Sequence, residues 1–386
     1  MFDEIVSRRG TGCYKWDEQP GDDIIPMWVA DMDFQTAPAI REALRRRVEH
    51  GVFGYTLVRP SYYDAIISWF HRRHQWDIRR EWIQYTSGVV PALSVIVKAL
   101  TQPGDQVVLL TPVYNCFFPS VRNNGCEVVS CMLRLCRDRY TIDYDALSLQ
   151  AASPRARLLI LCNPHNPVGR VWTREELTRV YNICKENGVI VVSDEIHNEL
   201  TFEGRHYVPY GTVDEGLTNA IVCTSPSKSF NTAGLQIANI ICSNAEWRER
   251  IDRAINQNEV CDVNPFGPVA LEAAYNESEA WLDALCDYIW QNYLSLCDFF
   301  ARHLPSLRVT PLEGTYLVWV DIRATGLSSD QLTERLLREG RVQVNSGTMY
   351  GQEAGEGFIR LNIACPRSQM MEGLRRIAQT INAITT

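Results

Sequence analysis

The sequence predicts an α/β protein with a large domain, built on a mostly parallel seven-stranded sheet, and a small α+β domain at its carboxyl end. Two observations support this fold class. Between residues 83 and 242, seven apolar, β-branched runs alternate with helix-like segments, and strands of this kind are covered by helices on both faces. After residue 305, short alternating strands with flanking helices replace that pattern. A chain of 386 residues is also too long for one simple core.

The elements are predicted in chain order from apolar periodicity and end signals. Residues 37–50 indicate an amphipathic helix ended by Gly51, and residues 61–74 a second helix with Ser61 as N-cap. The seven strands of the large domain are predicted at 83–86, 107–110, 127–131, 157–162, 189–193, 220–224 and 237–242. The helices among them are predicted at 91–100, 144–151 and 174–187.

A long helix, predicted at 278–303 and stopped by Pro305, leads to the small domain. The small domain's predicted strands are 307–311, 316–322, 342–345 and 357–364, and its helices are 328–339 and 368–383. We therefore expect three regions: an N-terminal arm and helix (1–49) packing with the small domain, the large domain (50–285), and the small domain (286–386). Within the arm, residues 26–34 combine aromatic and acidic side chains and must pack on another part of the chain.

Composition excludes several classes of protein. The net charge is −8 and no block of like charge occurs, so neither nucleic acid nor an anionic membrane is the expected partner. A small acidic or zwitterionic metabolite is compatible with this composition. Thirteen cysteines lie scattered without C-x-x-C pairs, which indicates reduced thiols. No signal peptide or membrane-spanning run is present, and we expect a cytoplasmic protein.

Lysine chemistry has few candidates, since the chain contains only Lys15, Lys98, Lys185 and Lys228. Lys228 is the best placed, because it lies among small hydroxyl residues just past a predicted buried strand, where open α/β sheets bind ligands. Lysine amines form Schiff bases with carbonyl groups, and pyridoxal phosphate is the commonest such partner. Its phosphate would account for Ser225 and Ser227 nearby. A solvated lysine in a serine-rich turn is the alternative.

Two polar groups follow other strands of the same sheet. Asp194, at the end of strand 189–193, could pair with a protonated pyridine nitrogen, or be an ordinary turn residue. The segment 163–169 reads Asn-Pro-His-Asn-Pro-Val-Gly. Its prolines fix a rigid turn that could present an amide to a ligand, although a plain turn is the alternative.

Three further positions complete the candidate site. Ser87-Gly88-Val89-Val90 stands at a strand-to-helix junction, where free backbone N–H groups favour an anion. Arg360 lies in an apolar strand, where it needs a carboxylate from either an internal salt bridge or a substrate. Tyr114 follows a strand and could stack on a flat ring or simply pack in the core.

Other chemistries lack their motifs. The sequence has no G-x-G-x-x-G after its first strand, no Walker A sequence, no H-E-x-x-H and no G-x-S-x-G. His71 and His74 lie on an arginine-rich helix and are expected at the surface, so no metal site is predicted.

Several of the segments described above resemble, in their order along the chain, the fold-type-I pyridoxal phosphate enzymes, the aspartate aminotransferase superfamily. They are residues 87–88, 112–114, 163–169, 193–197, 225–228 and 360–362. Within that superfamily the chain is similar to cystathionine β-lyases of MalY/PatB type. The segments that carry this second resemblance are 29–34, 51–55, 194–197, 227–231 and 365–368.

The resemblance implies a role for each site residue. Lys228 would hold the cofactor covalently and later act as the base at the substrate's α carbon, with Asp194 on the pyridine nitrogen. Asn166 and His197 would lie at the ring phenolate, Tyr114 would stack on the ring, and Arg360 and Asn166 would bind the substrate carboxylate. The phosphate would be bound by Gly88, Val89, Val90, Ser225 and Ser227, and by Tyr55 from the other subunit of a homodimer, where Tyr55 would also contact substrate.

One departure from typical aminotransferases favours the lyase branch. Eight residues after the lysine, where they place an arginine on the phosphate, this chain has Gln236. The expected function is a pyridoxal-phosphate-dependent C–S β-lyase that acts on an amino-acid thioether and gives a thiol, pyruvate and ammonia. An aminotransferase is the alternative, and a non-catalytic regulatory protein on the same fold is a third.

Overall fold

A seven-stranded sheet forms the centre of the large domain in the computed structural model, which describes residues 1–202, 204–259 and 261–385. Its strands in chain order are β1 (Ile83–Thr86), β2 (Gln106–Thr111), β3 (Glu127–Met132), β4 (Ala156–Cys162), β5 (Ile190–Asp194), β6 (Ala220–Thr224) and β7 (Ala238–Ile241). Their order across the sheet is β1-β7-β6-β5-β4-β2-β3. The predicted strands are thus confirmed.

Only β7 departs from the parallel arrangement, since it runs antiparallel to both β1 and β6. The connection from β6 to β7 contains one short 3-10 helix, Ala233–Leu235, and lacks the crossover helix that a parallel return requires. Because β7 is antiparallel to both of its neighbours, β1 and β6 point in the same direction. The carboxyl ends of β1, β2, β4, β5 and β6 therefore meet at one edge of the sheet.

Helices cover both faces of this sheet, as the near-continuous apolar runs predict. Along β4, Leu158 and Ile160 belong to one hydrophobic core, while Leu159 and Leu161 belong to the other. The helices up to residue 277 are Tyr14–Asp17, Pro38–His50, Pro60–His74, Val89–Leu100, Phe117–Arg122, Tyr144–Ala151, Arg174–Glu186, Ala245–Asn256 and Gly267–Glu277. A small antiparallel ribbon, Arg134–Cys136 with Arg139–Thr141, lies outside the sheet.

Some predicted helix ends differ from the structure. Ser61 is not an N-cap: the helix starts at Pro60, with Arg59 at the cap position, because proline is well tolerated in the first turn. Gly51 does end the first long helix, in the left-handed conformation with φ of 75°. The helices Tyr14–Asp17, Phe117–Arg122, Ala245–Asn256 and Gly267–Glu277 were not predicted.

The small domain contains an antiparallel sheet of four strands: β8 (Arg308–Val309), β9 (Leu317–Asp321), β10 (Asn345–Ser346) and β11 (Phe358–Asn362), in the order β8-β9-β11-β10. Its helices are Glu279–His303, Ser329–Arg338 and Arg367–Thr385. The strand predicted at 342–345 is divided in the structure. Val342–Gln343 pairs with Ile25–Pro26 of the arm, whereas Asn345–Ser346 joins β11.

The N-terminal arm contacts the small domain through main-chain hydrogen bonds. In addition to the Ile25–Pro26 pairing, Asn362 N donates to Met27 O and Asp33 N donates to Ala364 O, both at 2.9 Å. Helix Pro38–His50 packs instead against Gly267–Glu277. Helix Glu279–His303 continues across the limit expected between residues 285 and 286.

Candidate active site

A cavity of about 300 Å³ opens at the sheet edge where the strand ends meet. Register brings its polar groups together, since Asp194 at the end of β5 lies beside Cys162 of β4 and Cys223 of β6. The lining includes the following residues from the sequence prediction: Gly88, Val89, Val90, Tyr114, Asn166, Asp194, His197, Ser225, Ser227 and Lys228. The chain therefore concentrates these positions, far apart in sequence, around one space.

Lys228 presents its amine to this cavity from the loop that follows β6. Its Nζ donates a hydrogen bond of 2.6 Å to the carbonyl oxygen of Ala30 in the arm. Burial lowers the pKa of Lys228, and the nearby Arg360 guanidinium acts in the same direction, while Asp31 and Asp194 oppose them. A lowered pKa increases the fraction of neutral amine, which is the form that attacks a carbonyl or accepts a proton.

Asp194 is a buried carboxyl group at the carboxyl end of β5. Burial raises its pKa to about 7, and this effect exceeds the opposing hydrogen bond from Ile196 N to Oδ1 at 3.1 Å. A carboxylate in such surroundings is stabilised by any cationic group that enters the cavity.

Arg360 projects from β11 toward the same site and is only 2% exposed. Its guanidinium donates to Asn166 Oδ1 at 3.1 Å and to Trp28 O at 2.7 Å, and it lies over the Tyr350 ring. The buried Nε has no hydrogen-bond partner. No Asp or Glu of the described ranges lies within 4.0 Å of the guanidinium nitrogens, so the internal salt bridge considered from the sequence is absent there.

The opposite side of the cavity suits an anion. Helix Val89–Leu100 begins after Gly88 without a side-chain cap, so its first N–H groups remain available to a ligand. Ser225 accepts a hydrogen bond from Ser227 N at 3.1 Å and donates to Ile237 O at 2.7 Å. Gln236 lines the cavity as well, and it is uncharged.

Two rings complete the lining. Tyr114 packs edge-on against Phe117 with ring centroids 5.7 Å apart, and burial raises the pKa of its hydroxyl well above the usual value. His197 is buried, its Nδ1 has no hydrogen-bond partner, and burial lowers its pKa well below normal. The imidazole is therefore neutral at physiological pH.

Tyr55 is the predicted site residue that lies elsewhere. Its side chain is 98% exposed, and it borders a separate surface depression with Arg46, Arg47 and Arg59. Within a single chain it does not reach the cavity beside Lys228.

Sequence reasoning missed the part of the site made by main-chain atoms. The carbonyls of Trp28 and Ala30 accept hydrogen bonds from Arg360 and Lys228, and Tyr316 also donates to Ala30 O, at 2.8 Å. The aromatic and acidic pattern of residues 26–34 indicated burial but not what these residues would contact. Cys162 also lines the cavity, a position that the scattered cysteine pattern did not indicate.

The fold is that of an α/β protein, and its cavity brings the Lys228 amine and the Asp194 carboxyl together, with the Arg360 guanidinium hydrogen-bonded to the lining residue Asn166. The model of the family "Aminotransferase class I and II" matches residues 22–377, and the chain belongs to this family.

The chain is similar over nearly its full length to curated proteins that include lyases. Cystathionine beta-lyase PatB of Bacillus subtilis is 41% identical over 387 residues, covering 99% of this chain and 100% of PatB. Protein MalY of Escherichia coli is 33% identical, covering 99% of both chains. The MalY/PatB resemblance is thus confirmed.

Solved structures agree with the fold prediction. Cystalysin from Treponema denticola, which contains pyridoxal 5'-phosphate, superposes with a TM-score of 0.96 at 34% identity and 99% coverage of both chains. The pyridoxal-phosphate-bound C–S lyase from Staphylococcus hominis gives 0.92 at 33% identity, covering 99% of this chain and 98% of that one. The fold-type-I prediction is therefore confirmed.

The described ranges contain neither a candidate membrane span nor a candidate metal cluster. No helix there is long and apolar enough to cross a bilayer. Across the same ranges, no group of three or more His, Cys, Asp or Glu side chains is arranged to bind a metal ion.

Proposed function

We propose that this protein is a pyridoxal-phosphate-dependent C–S β-lyase. Its substrates are L-cysteine S-conjugates such as cystathionine, and with one water the products are a thiol, pyruvate and ammonia. One observation supports this proposal most directly: the Lys228 amine and the Asp194 carboxyl line one cavity, and the Arg360 guanidinium donates a hydrogen bond to Asn166 of the same lining. The full-length similarity to PatB supports the choice of reaction.

The residues present fit the cofactor by their chemistry. Lys228 offers an amine for its aldehyde, and Asp194 a carboxylate for its ring nitrogen. The start of helix Val89–Leu100, with Ser225 and Ser227, offers donors for its phosphate. The unpartnered Nδ1 of buried His197 is a polar atom that a ligand in the cavity would satisfy.

Each residue then has a separate task. When bound, the cofactor withdraws electrons from the substrate's α carbon. Arg360 binds the α-carboxylate through its planar fork, and Asn166, hydrogen-bonded to Arg360, holds that fork in place. Lys228, freed by the substrate amine, takes the proton from Cα. The electron pair left at Cα forms a double bond to Cβ as the C–S bond breaks, and the sulfur leaves with the C–S pair and is protonated.

Gln236 distinguishes this chain from typical aminotransferases. It stands eight residues after the lysine, where those enzymes place an arginine that neutralises the phosphate, and this departure fits the lyase branch better than ordinary aminotransferases. Tyr114, over the cavity, is the proposed stacking partner of the ring. An amino transfer would need a keto acid as second substrate, whereas the lyase reaction needs only water.

The active form is a homodimer with shared sites. The segment from Gly51 to Arg59 exposes a run of apolar side chains: Val52 at 64%, Phe53 at 53%, Tyr55 at 98% and Leu57 at 82%. Exposed apolar patches of this kind mark interfaces, and Tyr55 would reach the phosphate and substrate of the second subunit.

All thirteen cysteines are free thiols, in keeping with the cytoplasm as the compartment.

The direct test is to mix the purified holoenzyme with cystathionine and to follow pyruvate and free thiol. Equal amounts of both, without an added keto acid, are expected. Turnover that depends on a keto acid would identify an aminotransferase. An absence of turnover with every cysteine thioether tried would favour the regulatory alternative.

A further inference from the structure

Two side chains share one main-chain oxygen beside the cavity. Lys228 Nζ and the Tyr316 hydroxyl both donate to the carbonyl oxygen of Ala30, at 2.6 Å and 2.8 Å, which its two lone pairs allow. We propose that Tyr316 is a positioning residue, whose hydroxyl competes for this oxygen and so keeps the free lysine amine loosely held and available to react. The inference rests on the proposed function only in requiring Lys228 to act as a reactive amine.

The shared acceptor is held firmly in place. Asn362 Nδ2 donates to Val29 O at 2.5 Å and to Asp31 O at 2.6 Å, on either side of Ala30. Arg360 Nη2 holds Trp28 O at 2.7 Å. The Ala30 carbonyl therefore cannot follow the lysine as it moves, and the strength of the Lys228 hydrogen bond depends on what else binds that oxygen.

Tyr316 is itself fixed and remains a donor. Its side chain is fully buried, and the His197 ring packs edge-on against it, with centroids 5.7 Å apart. Burial raises the pKa of the Tyr316 hydroxyl far above its normal value. It therefore stays protonated throughout the physiological range and does not itself accept a proton.

The hydroxyl acts on a balance of charges around the amine. Burial and Arg360 favour the neutral form of Lys228, while Asp31 and Asp194 favour the ammonium. An unshared carbonyl would bind the ammonium more strongly, because hydrogen bonds to charged groups are the stronger ones. Loss of the Tyr316 hydroxyl should therefore raise the protonated fraction of Lys228. The titratable or charged groups that face the amine are Asp31, Cys116, Asp194, His197, Tyr316 and Arg360.

Acylation of the cofactor-free protein tests this without any turnover. An amine-acylating reagent is applied over a pH series, and each lysine is followed by mass spectrometry. In Tyr316→Phe, the pH of half-maximal Lys228 acylation should rise by roughly 0.5 to 1 unit, the change expected for a modest hydrogen-bond effect on a pKa. Exposed Lys98 and Lys185 serve as internal references and should not change.

A second measurement uses the holoenzyme but not C–S cleavage. Exchange of the α proton of L-alanine with D₂O, followed by NMR, requires the lysine base and no leaving group at Cβ. In Tyr316→Phe the exchange rate at saturating L-alanine should fall about fivefold to tenfold, the effect of one hydrogen bond. The concentration of L-alanine that gives half-maximal exchange should change less than about twofold, which is a smaller change than the loss of one substrate contact would cause. Failure of the lyase assay would leave this readout intact.

Tyr62→Phe is the matched control. Tyr62 is fully buried and its hydroxyl donates to Asn239 Oδ1 at 2.6 Å, but it does not line the cavity. Both readouts should match the wild type in this variant. The proposal is overturned if Tyr316→Phe leaves the acylation midpoint and the exchange rate unchanged, if it lowers the midpoint, or if Tyr62→Phe produces the same changes.

Discussion

Replacing Arg360 should reveal how the protein binds its substrate's carboxylate. The guanidinium is buried, has two neutral hydrogen-bond acceptors in Asn166 and Trp28 O, and keeps an unpartnered Nε. Its charge thus lacks an internal carboxylate in the described ranges. Removing a buried charge-assisted pair costs on the order of 2–5 kcal/mol. Since about 1.4 kcal/mol is tenfold, Arg360→Ala should lower kcat/KM for cystathionine by roughly 30-fold to 4000-fold.

The assay compares two substrates in two enzymes. Pyruvate release from a cysteine S-conjugate gives kcat/KM, and binding of the decarboxylated amine analogue is measured as inhibition. The wild type should prefer the carboxylated compound strongly, whereas Arg360→Ala should bind both to a similar extent, because the discriminating group is gone. Arg323→Ala is the control, since Arg323 is exposed and paired with Asp321.

Two results would refute this reasoning. If kcat/KM of Arg360→Ala stayed within about threefold of the wild type, a difference of less than 1 kcal/mol, the guanidinium would have no role in recognition. If the variant still discriminated fully between acid and amine, another group would bind the carboxylate.

The other predictions concern three residues. Lys228→Ala should lose the covalent link to the cofactor, and a borohydride-trapped adduct in that variant would contradict it. Asp194→Asn should retain the cofactor but lose most of its turnover, because the ring nitrogen loses its charge partner; near-normal kcat would exclude that role. In the cofactor-free protein, the Asp194 pKa of about 7, against 3.8 for an ordinary aspartate, means that the folded chain keeps a proton which the unfolded chain loses. The stabilisation that this proton gives the folded chain is complete below about pH 4. The free energy of unfolding then falls by up to about 4 kcal/mol as the pH rises to 7. Urea unfolding of wild type and Asp194→Asn at pH 4.5 and 7 should show the variant's relative stability rising with pH, and an unchanged difference would contradict it. Finally, mixed Tyr55→Ala and Lys228→Ala subunits should recover at most about a quarter of wild-type activity per subunit, and exchange without recovery would show that Tyr55 does not act in the partner's site.

The large-domain sheet could be predicted because its signal is local. Each strand is a compact apolar run bounded by turns, so the sequence near Leu158 or Val191 is sufficient to identify it. Helix Gly267–Glu277 was missed, since its mixture of small and apolar residues has little amphipathic contrast, and burial of Ala270 and Ala274 depends on packing partners far along the chain.

The candidate site was predictable where side-chain chemistry is unusual in its surroundings. A lysine in a chain that has only four lysines, or an arginine in an apolar strand such as β11, is conspicuous without a structure. The hydrogen-bond acceptor at Ala30 is not conspicuous in the sequence, because a carbonyl oxygen is present at every position. Only the folded arm brings this carbonyl to Lys228. Tyr316 was overlooked for a related reason, since a tyrosine at the start of a predicted strand is indistinguishable from a core residue until the partner of its hydroxyl is known.

The path of the arm past Lys228 also affects how variants of this protein can be interpreted. An acceptor on the main chain is unchanged by side-chain substitution at its own position, so a mutational scan of residues 28–31 would miss the contribution of these oxygens. Their effect would appear instead in changes that displace the backbone, such as shortening the chain before Ile25 or disturbing its pairing with Val342. Tags, fusions and truncations at the amino terminus should therefore be treated as active-site modifications.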